Sequence, residues 1–291
     1  MLICLGANKA GTSWLYRYLA GHPDCRLPLV KELHYFDARH FNRLEGEQQR
    51  ITALHDATRD ALASAKGAEA EKLRAELTEL NEWLSVIAAA RAGKRGDAAY
   101  RDFVLGRAAG GARLVADITP AYALMPKRVF VRMQALAEKV RFLYILRDPV
   151  DRLWSNIRMN AARLAGGTGT VAEEALRQFD LWVAGEAKSV SRRSDYAATL
   201  ARLAEAVDPA KLSVIFYETL FTPAALGRLC GFLGIGAHPA QFSKLVHVGV
   251  PVPLDAARQA QARAILAPQY DYVRRTVADL PPRWRENMGE M

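Results

Sequence analysis

Cysteine and long apolar runs are both scarce in this chain. Its 291 residues include only Cys4, Cys25 and Cys230, which are widely spaced and show neither a disulfide framework nor metal-ligand spacing. No apolar run approaches the roughly 18 residues that span a bilayer. No basic leader with a cleavable apolar stretch precedes the first apolar run. These absences predict a cytoplasmic chain without a disulfide framework, a metal site or a transmembrane segment.

The charge of the chain is strongly positive. Lys and Arg number 40 against 31 Asp and Glu, which gives a formal net charge of +9 and a pI near 9.6. A positive balance favours anionic partners. Because the arginines are scattered and no nucleic-acid module is present, we expect a small polyanionic ligand and no nucleic-acid partner.

The first twenty residues follow the pattern of a strand, a glycine turn and a helix. The apolar run at 2–5 predicts a short buried strand, and apolar residues at helical spacing follow the turn. Between them lie Gly6 and Gly11, whose backbone can approach an anion closely. Thr12 or Ser13 is expected to cap the helix and to donate a hydroxyl. Backbone N–H groups in such a loop, together with the helix N-terminus, form a phosphate cradle.

This loop departs from the Walker A motif, Gly-x-x-x-x-Gly-Lys-Ser/Thr. Gly6 and Gly11 have the required spacing, but Thr12 occupies the position of the lysine, and the lysine of this loop is Lys9. A tight strand-to-helix turn that binds no ligand is therefore an alternative interpretation.

Strand and helix patterns alternate along the rest of the chain. Further strands are predicted at 113–117, 140–146 and 211–217, after an extended stretch at 25–29. Helices are predicted at about 46–65, 68–91, 126–138, 171–187, 194–206, 223–233 and 255–266. This alternation predicts an α/β fold with a central parallel sheet, doubly wound, in a single domain over 1–291. The Ala- and Glu-rich stretch at about 43–110 is predicted to be a helical insertion.

Two polar stretches follow predicted extended segments. The stretch 31–37 places Glu32 and His34 two residues apart, and on extended backbone their side chains would point the same way. A polar loop anchored by its aromatic residues is the alternative. Arg147 follows the strongest predicted strand, at the edge where open α/β sheets bind ligands.

Four segments, in order, resemble motifs of the sulfotransferases that use 3′-phosphoadenosine-5′-phosphosulfate (PAPS), especially the heparan-sulfate type and its bacterial relatives. Lys9-Ala10-Gly11-Thr12-Ser13-Trp14 resembles the 5′-phosphosulfate loop. Arg147-Asp148-Pro149, with Ser155 eight residues after the arginine, resembles the 3′-phosphate motif. Lys31-Glu32-Leu33-His34-Tyr35-Phe36-Asp37 is similar to Lys-Glu-x-His-Phe-Phe-Asp. Asp117-Ile118-Thr119-Pro120-Ala121-Tyr122 is similar to Glu-Lys-Thr-Pro-Ala-Tyr, with Asp117 and Ile118 replacing glutamate and lysine.

The resemblance implies a P-loop NTPase-like three-layer sandwich and a role for each motif residue. Lys9 would stabilise the leaving phosphate, and Arg147 and Ser155 would hold the 3′-phosphate. Glu32 would be the general base, with His34 as the alternative base. The 5′-phosphate would be held by Gly11, Thr12, Ser13 and Trp14, and Lys9 and Ala10 would also bind the cofactor. PAPS would be the co-substrate, adenosine 3′,5′-bisphosphate the product, and no metal would be needed.

Two other functions stay open at this stage. A P-loop-type kinase would share the architecture, but it requires lysine at position 12 and a magnesium-binding acid. A non-catalytic nucleotide-binding scaffold would use the 46–91 helices for partner contacts. For a sulfotransferase we expect a small-molecule, lipid or carbohydrate acceptor with a hydroxyl or, less often, an amine. The helical insertion, a loop at 156–170 and Tyr122 are expected to shape its pocket, and the oligomeric state is not predicted.

Overall fold

A computed structural model describes residues 1–93, 96–165, 170–242 and 249–290. In this part of the chain, five strands form one sheet in the order β2-β3-β1-β4-β5, and every neighbouring pair is parallel. The strands are β1 (Leu2–Gly6), β2 (Cys25–Arg26), β3 (Leu114–Ile118), β4 (Arg141–Leu146) and β5 (Leu212–Phe216). Helices flank this sheet, so the predicted α/β fold with a central parallel sheet is confirmed.

The central position of β1 follows from its composition. All five of its residues are buried, as expected for a strand covered by helices on both faces of a parallel sheet. Its neighbours are β3, where Ile3 lies opposite Asp117, and β4, where Ile3 lies opposite Phe142. Because the three strands run in parallel, the loops that follow them meet at one edge of the sheet.

Fourteen α-helices lie in the described residues, and no helix there has both the length and the apolar character of a membrane span. They are α1 (Thr12–Ala20), α2 (Tyr35–His40), α3 (Leu44–Leu62), α4 (Gly67–Arg91), α5 (Ala98–Leu105), α6 (Lys127–Gln134), α7 (Pro149–Leu164), α8 (Val171–Val183), α9 (Lys188–Ser194), α10 (Tyr196–Ala206), α11 (Tyr217–Leu220), α12 (Pro223–Leu233), α13 (Ala256–Thr276) and α14 (Pro282–Met288).

Helices α3, α4 and α5, hereafter the helical segment, form the stretch predicted as an insertion. The bounds of α3 and α4 agree with the predicted helices to within about one turn, whereas α5 was not predicted. Their apolar faces meet through Trp83 of α4 and Tyr100 of α5, both fully buried. Tyr35 of α2 stacks on Tyr100 with ring centroids 4.6 Å apart. The helical segment therefore packs directly against the stretch that contains Glu32 and His34.

Three helix predictions were wrong in extent. The helix expected over 126–138 ends at Gln134. The helix expected over 171–187 ends at Val183. Gly185, two residues later, has a φ of 79°, and the separate helix α9 follows it. The helix expected over 255–266 continues through Pro268 to Thr276, and α14 follows it. A mid-helix proline costs about 3 kcal/mol. Burial of Tyr270, whose hydroxyl donates to Asp148 Oδ2 at 2.8 Å, favours continuation of α13.

The loop predicted at 156–170 is also wrong in its first part. Residues 156–164 belong to α7, which carries buried Ile157 and Ala161 on its inner face. Residues 166–169 lie outside the described part of the chain.

Candidate active site

The loop between β1 and α1 depends on two glycines with positive φ. A Cβ on Gly6 (φ 124°) would lie 3.0 Å from the carbonyl oxygen of Pro120, and one on Gly11 (φ 83°) would lie 3.0 Å from the ring of Tyr217. Any other residue would be strained and crowded at either position. Gly11 is the residue that precedes α1, and no described side chain caps this helix. The expectation that Thr12 or Ser13 caps it is wrong, because both lie inside α1.

The side chain of Lys9 lies among other cations. Its Nζ donates to Met159 Sδ at 3.6 Å, and Arg147 Nη1 donates to the carbonyl oxygen of Lys9 at 2.9 Å. Burial lowers the pKa of Lys9, and the nearby charges of Arg147 and Arg158 lower it further. No carboxylate within the described ranges forms an ion pair with Lys9. An anion bound here would therefore relieve mutual repulsion.

The guanidinium of Arg147 is held in place at the end of β4. It lies over the ring of Tyr217 at 4.7 Å, and the hydroxyl of Tyr196 donates to the Arg147 carbonyl oxygen at 2.8 Å. A planar guanidinium in a fixed position suits bidentate binding of phosphate. Ser155 lies in the second turn of α7, the helix that starts two residues after Arg147.

A chain of polar contacts, hereafter the charged row, connects α1 to α2. Lys31 Nζ donates to Ser13 Oγ at 2.6 Å and lies 3.3 Å from Glu32 Oε1. Glu32 Oε2 lies 3.5 Å from His34 Nε2, and His34 Nδ1 lies 2.9 Å from Asp37 Oδ2. The Glu32 carboxylate is thus tied to α1, the helix that follows the loop between Gly6 and Gly11.

The backbone that brings Glu32 and His34 together is a loop with left-handed residues. The two residues have φ values of 58° and 52°, in the left-handed region, so the stretch is not extended and the argument from extended backbone does not apply. The alternative, a polar loop anchored by Tyr35 and Phe36, describes the local structure better, because both rings are buried. The loop nonetheless places the two side chains in contact.

Opposite charges stabilise the ionised forms within the charged row. Burial alone would raise the pKa of Glu32, but the hydrogen bond with His34 and the charge of Lys31 outweigh it and bring the value to about 2. Burial would lower the pKa of His34, but the hydrogen bonds with Asp37 and Glu32 raise it to about 10. At neutral pH Glu32 is therefore an anion and His34 a cation that donates from both ring nitrogens.

The segment 117–122 is hydrogen-bonded to the stretch that contains Glu32 and His34. Fully buried Asp117 accepts hydrogen bonds from Tyr100 at 2.7 Å, Thr119 at 2.6 Å and Tyr122 at 2.8 Å. The Tyr122 hydroxyl also accepts from the backbone N–H of Tyr35 at 3.1 Å. Tyr122 is 0 % exposed, so it cannot line an acceptor pocket as expected.

Trp14 lies in an aromatic group on the outer side of α1. It stacks on Tyr18 and Phe242 with ring centroids 5.6 and 6.0 Å apart, and it contacts Phe221 edge-on. A pocket of about 250 Å³ opens beside it, between α1 and residues 238–241. The structure thus places Trp14 in the wall of this pocket.

Two residues near Lys9 were missed by the sequence reasoning. Arg158 and Met159 lie on α7, three and four positions after Ser155, and therefore on the same face of the helix. That spacing is the signal that could have identified them. Arg158 Nη1 donates to the carbonyl oxygen of Val250 at 3.1 Å, whereas its buried Nε has no partner in the part of the chain that the structure describes.

A sequence profile of a known protein family matches the part of the chain that contains most of the residues described above. The family's sequence profile, described as Sulfotransferase family, matches residues 2–239, a range that includes every predicted site residue from Lys9 to Ser155. The chain belongs to the sulfotransferase family. No curated protein sequence matches this sulfotransferase.

Solved structures of similar fold are also sulfotransferases. The crystal structure of a sulfotransferase from Alicyclobacillus acidocaldarius aligns with a TM-score of 0.62 and 23 % identity, over 98 % of each chain. The sulfotransferase domain from the curacin biosynthetic pathway aligns with a TM-score of 0.48 and 18 % identity, over 100 % of this chain and 96 % of that one. At 23 % identity the first of these supports the P-loop-like α/β fold of this sulfotransferase.

Proposed function

We propose that this sulfotransferase moves the sulfuryl group of PAPS to a hydroxyl or, less often, an amine of a small-molecule, lipid or carbohydrate acceptor. The observation that carries the proposal is the hydrogen bond between Lys31 Nζ and Ser13 Oγ. It joins the carboxylate of Glu32 to the start of α1, so a candidate base lies beside a candidate phosphate site.

The residues at the edge of the sheet fit a ligand with several negative charges. Lys9 and Arg147 form no ion pair within the described ranges, and Arg158 has a buried Nε without a partner there. The start of α1, which has no side-chain cap within the described ranges, adds backbone N–H donors. We assign the 5′-phosphate to residues 9–14 and the 3′-phosphate to Arg147 and Ser155.

Each side chain then has a defined chemical role. Bound PAPS supplies the sulfuryl group, whose sulfur–oxygen bond to the 5′-phosphate breaks as the acceptor oxygen bonds to sulfur. Glu32 accepts the acceptor's proton, which requires the carboxylate within hydrogen-bond reach. The Lys9 ammonium donates a hydrogen bond to the phosphate oxygen on which negative charge develops. Fixed donors aimed at developing charge are a large source of rate enhancement.

Glu32 is better suited than His34 to be the base. With its pKa raised to about 10, His34 carries protons on both ring nitrogens at neutral pH and has no lone pair to accept another. The Glu32 carboxylate is ionised over the same range. We therefore assign His34 to charge compensation between Glu32 and Asp37.

Binding and transfer experiments test the proposal. Calorimetry should give tighter binding of adenosine 3′,5′-bisphosphate than of ATP with magnesium. Labelled PAPS, incubated with the wild-type protein and a panel of hydroxylated acceptors, should yield a labelled product. A clear preference for ATP with magnesium, or no transfer to any acceptor class in the panel, would contradict it.

A further inference from the structure

We propose that the helical segment is a clamp for the loop of residues 28–32, with Glu79 and Arg50 as the positioning residues that set the location of Glu32. The inference rests on the proposed function to the extent that Glu32 is taken as the base. It assigns to α3, α4 and α5 a role in the reaction.

The backbone groups of this loop need hydrogen-bond partners from other parts of the chain. Residues 27–33 lie between β2 and the first hydrogen bond of α2, which His34 accepts, so neither a sheet ladder nor a helix supplies the hydrogen bonds of residues 27–33. Glu32 and His34 also hold positive φ values, which are unfavourable for residues with a Cβ. Such a conformation persists only where surrounding contacts fix it.

One side of the loop is fixed by α1. The hydroxyl of Tyr16 contacts the carbonyl oxygens of Pro28 at 2.7 Å and Leu29 at 3.2 Å. Lys31 adds its hydrogen bond to Ser13 on the same helix. The contacts from α1 thus reach residues 28, 29 and 31.

Glu79 of α4 fixes the next position. The backbone N–H of Val30 donates to Glu79 Oε1 at 3.1 Å, and both residues are buried. Arg107, beyond the end of α5, lies 3.1 Å from Glu79 Oε2, and its guanidinium stacks on Phe103 at 3.7 Å. Without Glu79 the buried N–H of Val30 would lose its acceptor, which is costlier than the loss of an exposed hydrogen bond.

Arg50 of α3 holds Glu32 itself. Its Nη2 donates to the backbone carbonyl oxygen of Glu32 at 3.2 Å. The guanidinium is fixed in turn by buried Glu47, with Nη2 at 2.6 Å from Oε1 and Nε at 3.0 Å from Oε2. This two-point geometry aims the Arg50 side chain at the loop before any ligand binds.

Loss of the clamp should slow transfer while cofactor binding is kept. A displacement of about 1 Å can cost about 100-fold in rate, because the base must reach the acceptor's proton. The proposed phosphate sites lie in the loop after β1, at the start of α1, at the end of β4 and on α7, whereas Glu79 lies on α4 and Arg50 on α3. We therefore expect kcat to fall about 10- to 100-fold in Glu79→Leu and in Arg50→Met, with the Kd for adenosine 3′,5′-bisphosphate within about twofold of wild type.

Matched variants distinguish a positioning role of Glu79 and Arg50 from a nonspecific loss of activity. Glu79→Gln keeps an oxygen that accepts from Val30 and should restore kcat to within about threefold of wild type. Glu71→Leu, an exposed site on α4, and Arg59→Met, an exposed site on α3, should both behave as wild type. Wild-type kcat in both Glu79→Leu and Arg50→Met would overturn the proposal. So would equal loss of kcat in Glu79→Leu and Glu79→Gln.

Amide hydrogen exchange gives a readout that is independent of turnover. The Val30 amide should exchange faster in Glu79→Leu than in wild type, Glu79→Gln or Glu71→Leu. If the wild-type protein transfers no sulfuryl group, the proposed function fails, and exchange alone then decides on the clamp. Unchanged exchange at Val30 in Glu79→Leu would overturn it.

Discussion

His34 Nε2 lies 3.5 Å from Glu32 Oε2, and burial by itself favours the neutral form of each partner. The pair stays ionised because Lys31 stabilises the carboxylate, while Asp37 stabilises the imidazolium on its other nitrogen.

Stability should fall as the pH rises above neutrality. The pKa of His34 is about 10 in the folded protein, against an ordinary value of 6.5 for an unfolded chain, so its contribution is complete below pH 6.5 and is lost towards pH 10. Loss of one proton contributes a slope of at most about 1.4 kcal/mol per pH unit. Urea denaturation of wild type and His34→Gln across this range should show a shallower slope in the variant. Equal slopes would contradict the assignment, and His55→Gln, on α3, is the control.

The same variant should move the acid limb of activity. Loss of the His34 hydrogen bond should raise the pKa of Glu32 from about 2 towards 4.5, so the carboxylate is protonated at higher pH. The pH at which kcat/KM falls to half should therefore rise in His34→Gln. Steady-state kinetics should be measured for both proteins from neutral pH down to the lowest pH at which they stay folded. If the two curves of kcat/KM against pH superimpose at acid pH, Glu32 is excluded as the titrating group.

Arg147→Lys should weaken recognition of the 3′-phosphate selectively. Lysine cannot reproduce a bidentate guanidinium contact, which is worth about 1.5–3 kcal/mol, or about 10- to 100-fold in affinity. Calorimetry should show this loss for adenosine 3′,5′-bisphosphate and little change for adenosine 5′-monophosphate, which lacks the 3′-phosphate. An equal loss for both ligands would place Arg147 elsewhere on the nucleotide. Arg113→Lys, at an exposed position, is the matched control.

Two glycine substitutions should have opposite effects. Gly11→Ala places a Cβ 3.0 Å from the Tyr217 ring at a φ of 83°, and should lower the free energy of unfolding by about 1–2 kcal/mol. Gly46 lies in α3, and a Cβ there would have nothing within 4 Å. Gly46→Ala should therefore stabilise the protein by up to about 1 kcal/mol. Thermal denaturation measures both, and a neutral Gly11→Ala would show that the loop adapts.

Local patterns predicted most of the fold. The buried runs of β1 and β4, and the apolar spacing of α3 and α4, are properties of contiguous sequence. The continuation of α13 beyond Pro268 depends on contacts of Tyr270 with a distant element. The local sequence shows only the proline, so the predicted helix ended too early.

The candidate site, too, could be predicted from the sequence only where it depends on residues close together in the chain. Motif spacing brought Glu32 and His34 into one stretch, but their contact arises from left-handed backbone that no periodicity describes. The hydrogen bond of Lys31 to Ser13 crosses from a loop to a helix, and Arg50 acts on Glu32 from the helical segment. Such contacts between separate elements could not be derived from spacing. The catalytic and binding roles of these residues stay predictions.

Turnover of Glu32→Gln tests the proposed base without disturbing the proposed cofactor site. The substitution keeps the size of the side chain and removes the proton acceptor, so kcat with labelled PAPS should fall at least about 100-fold. The Kd for adenosine 3′,5′-bisphosphate should stay within about twofold of wild type, since its proposed ligands are untouched. Glu45→Gln, at an exposed position on α3, should retain full activity. A kcat of Glu32→Gln within about threefold of wild type would contradict the assignment of Glu32 as the base.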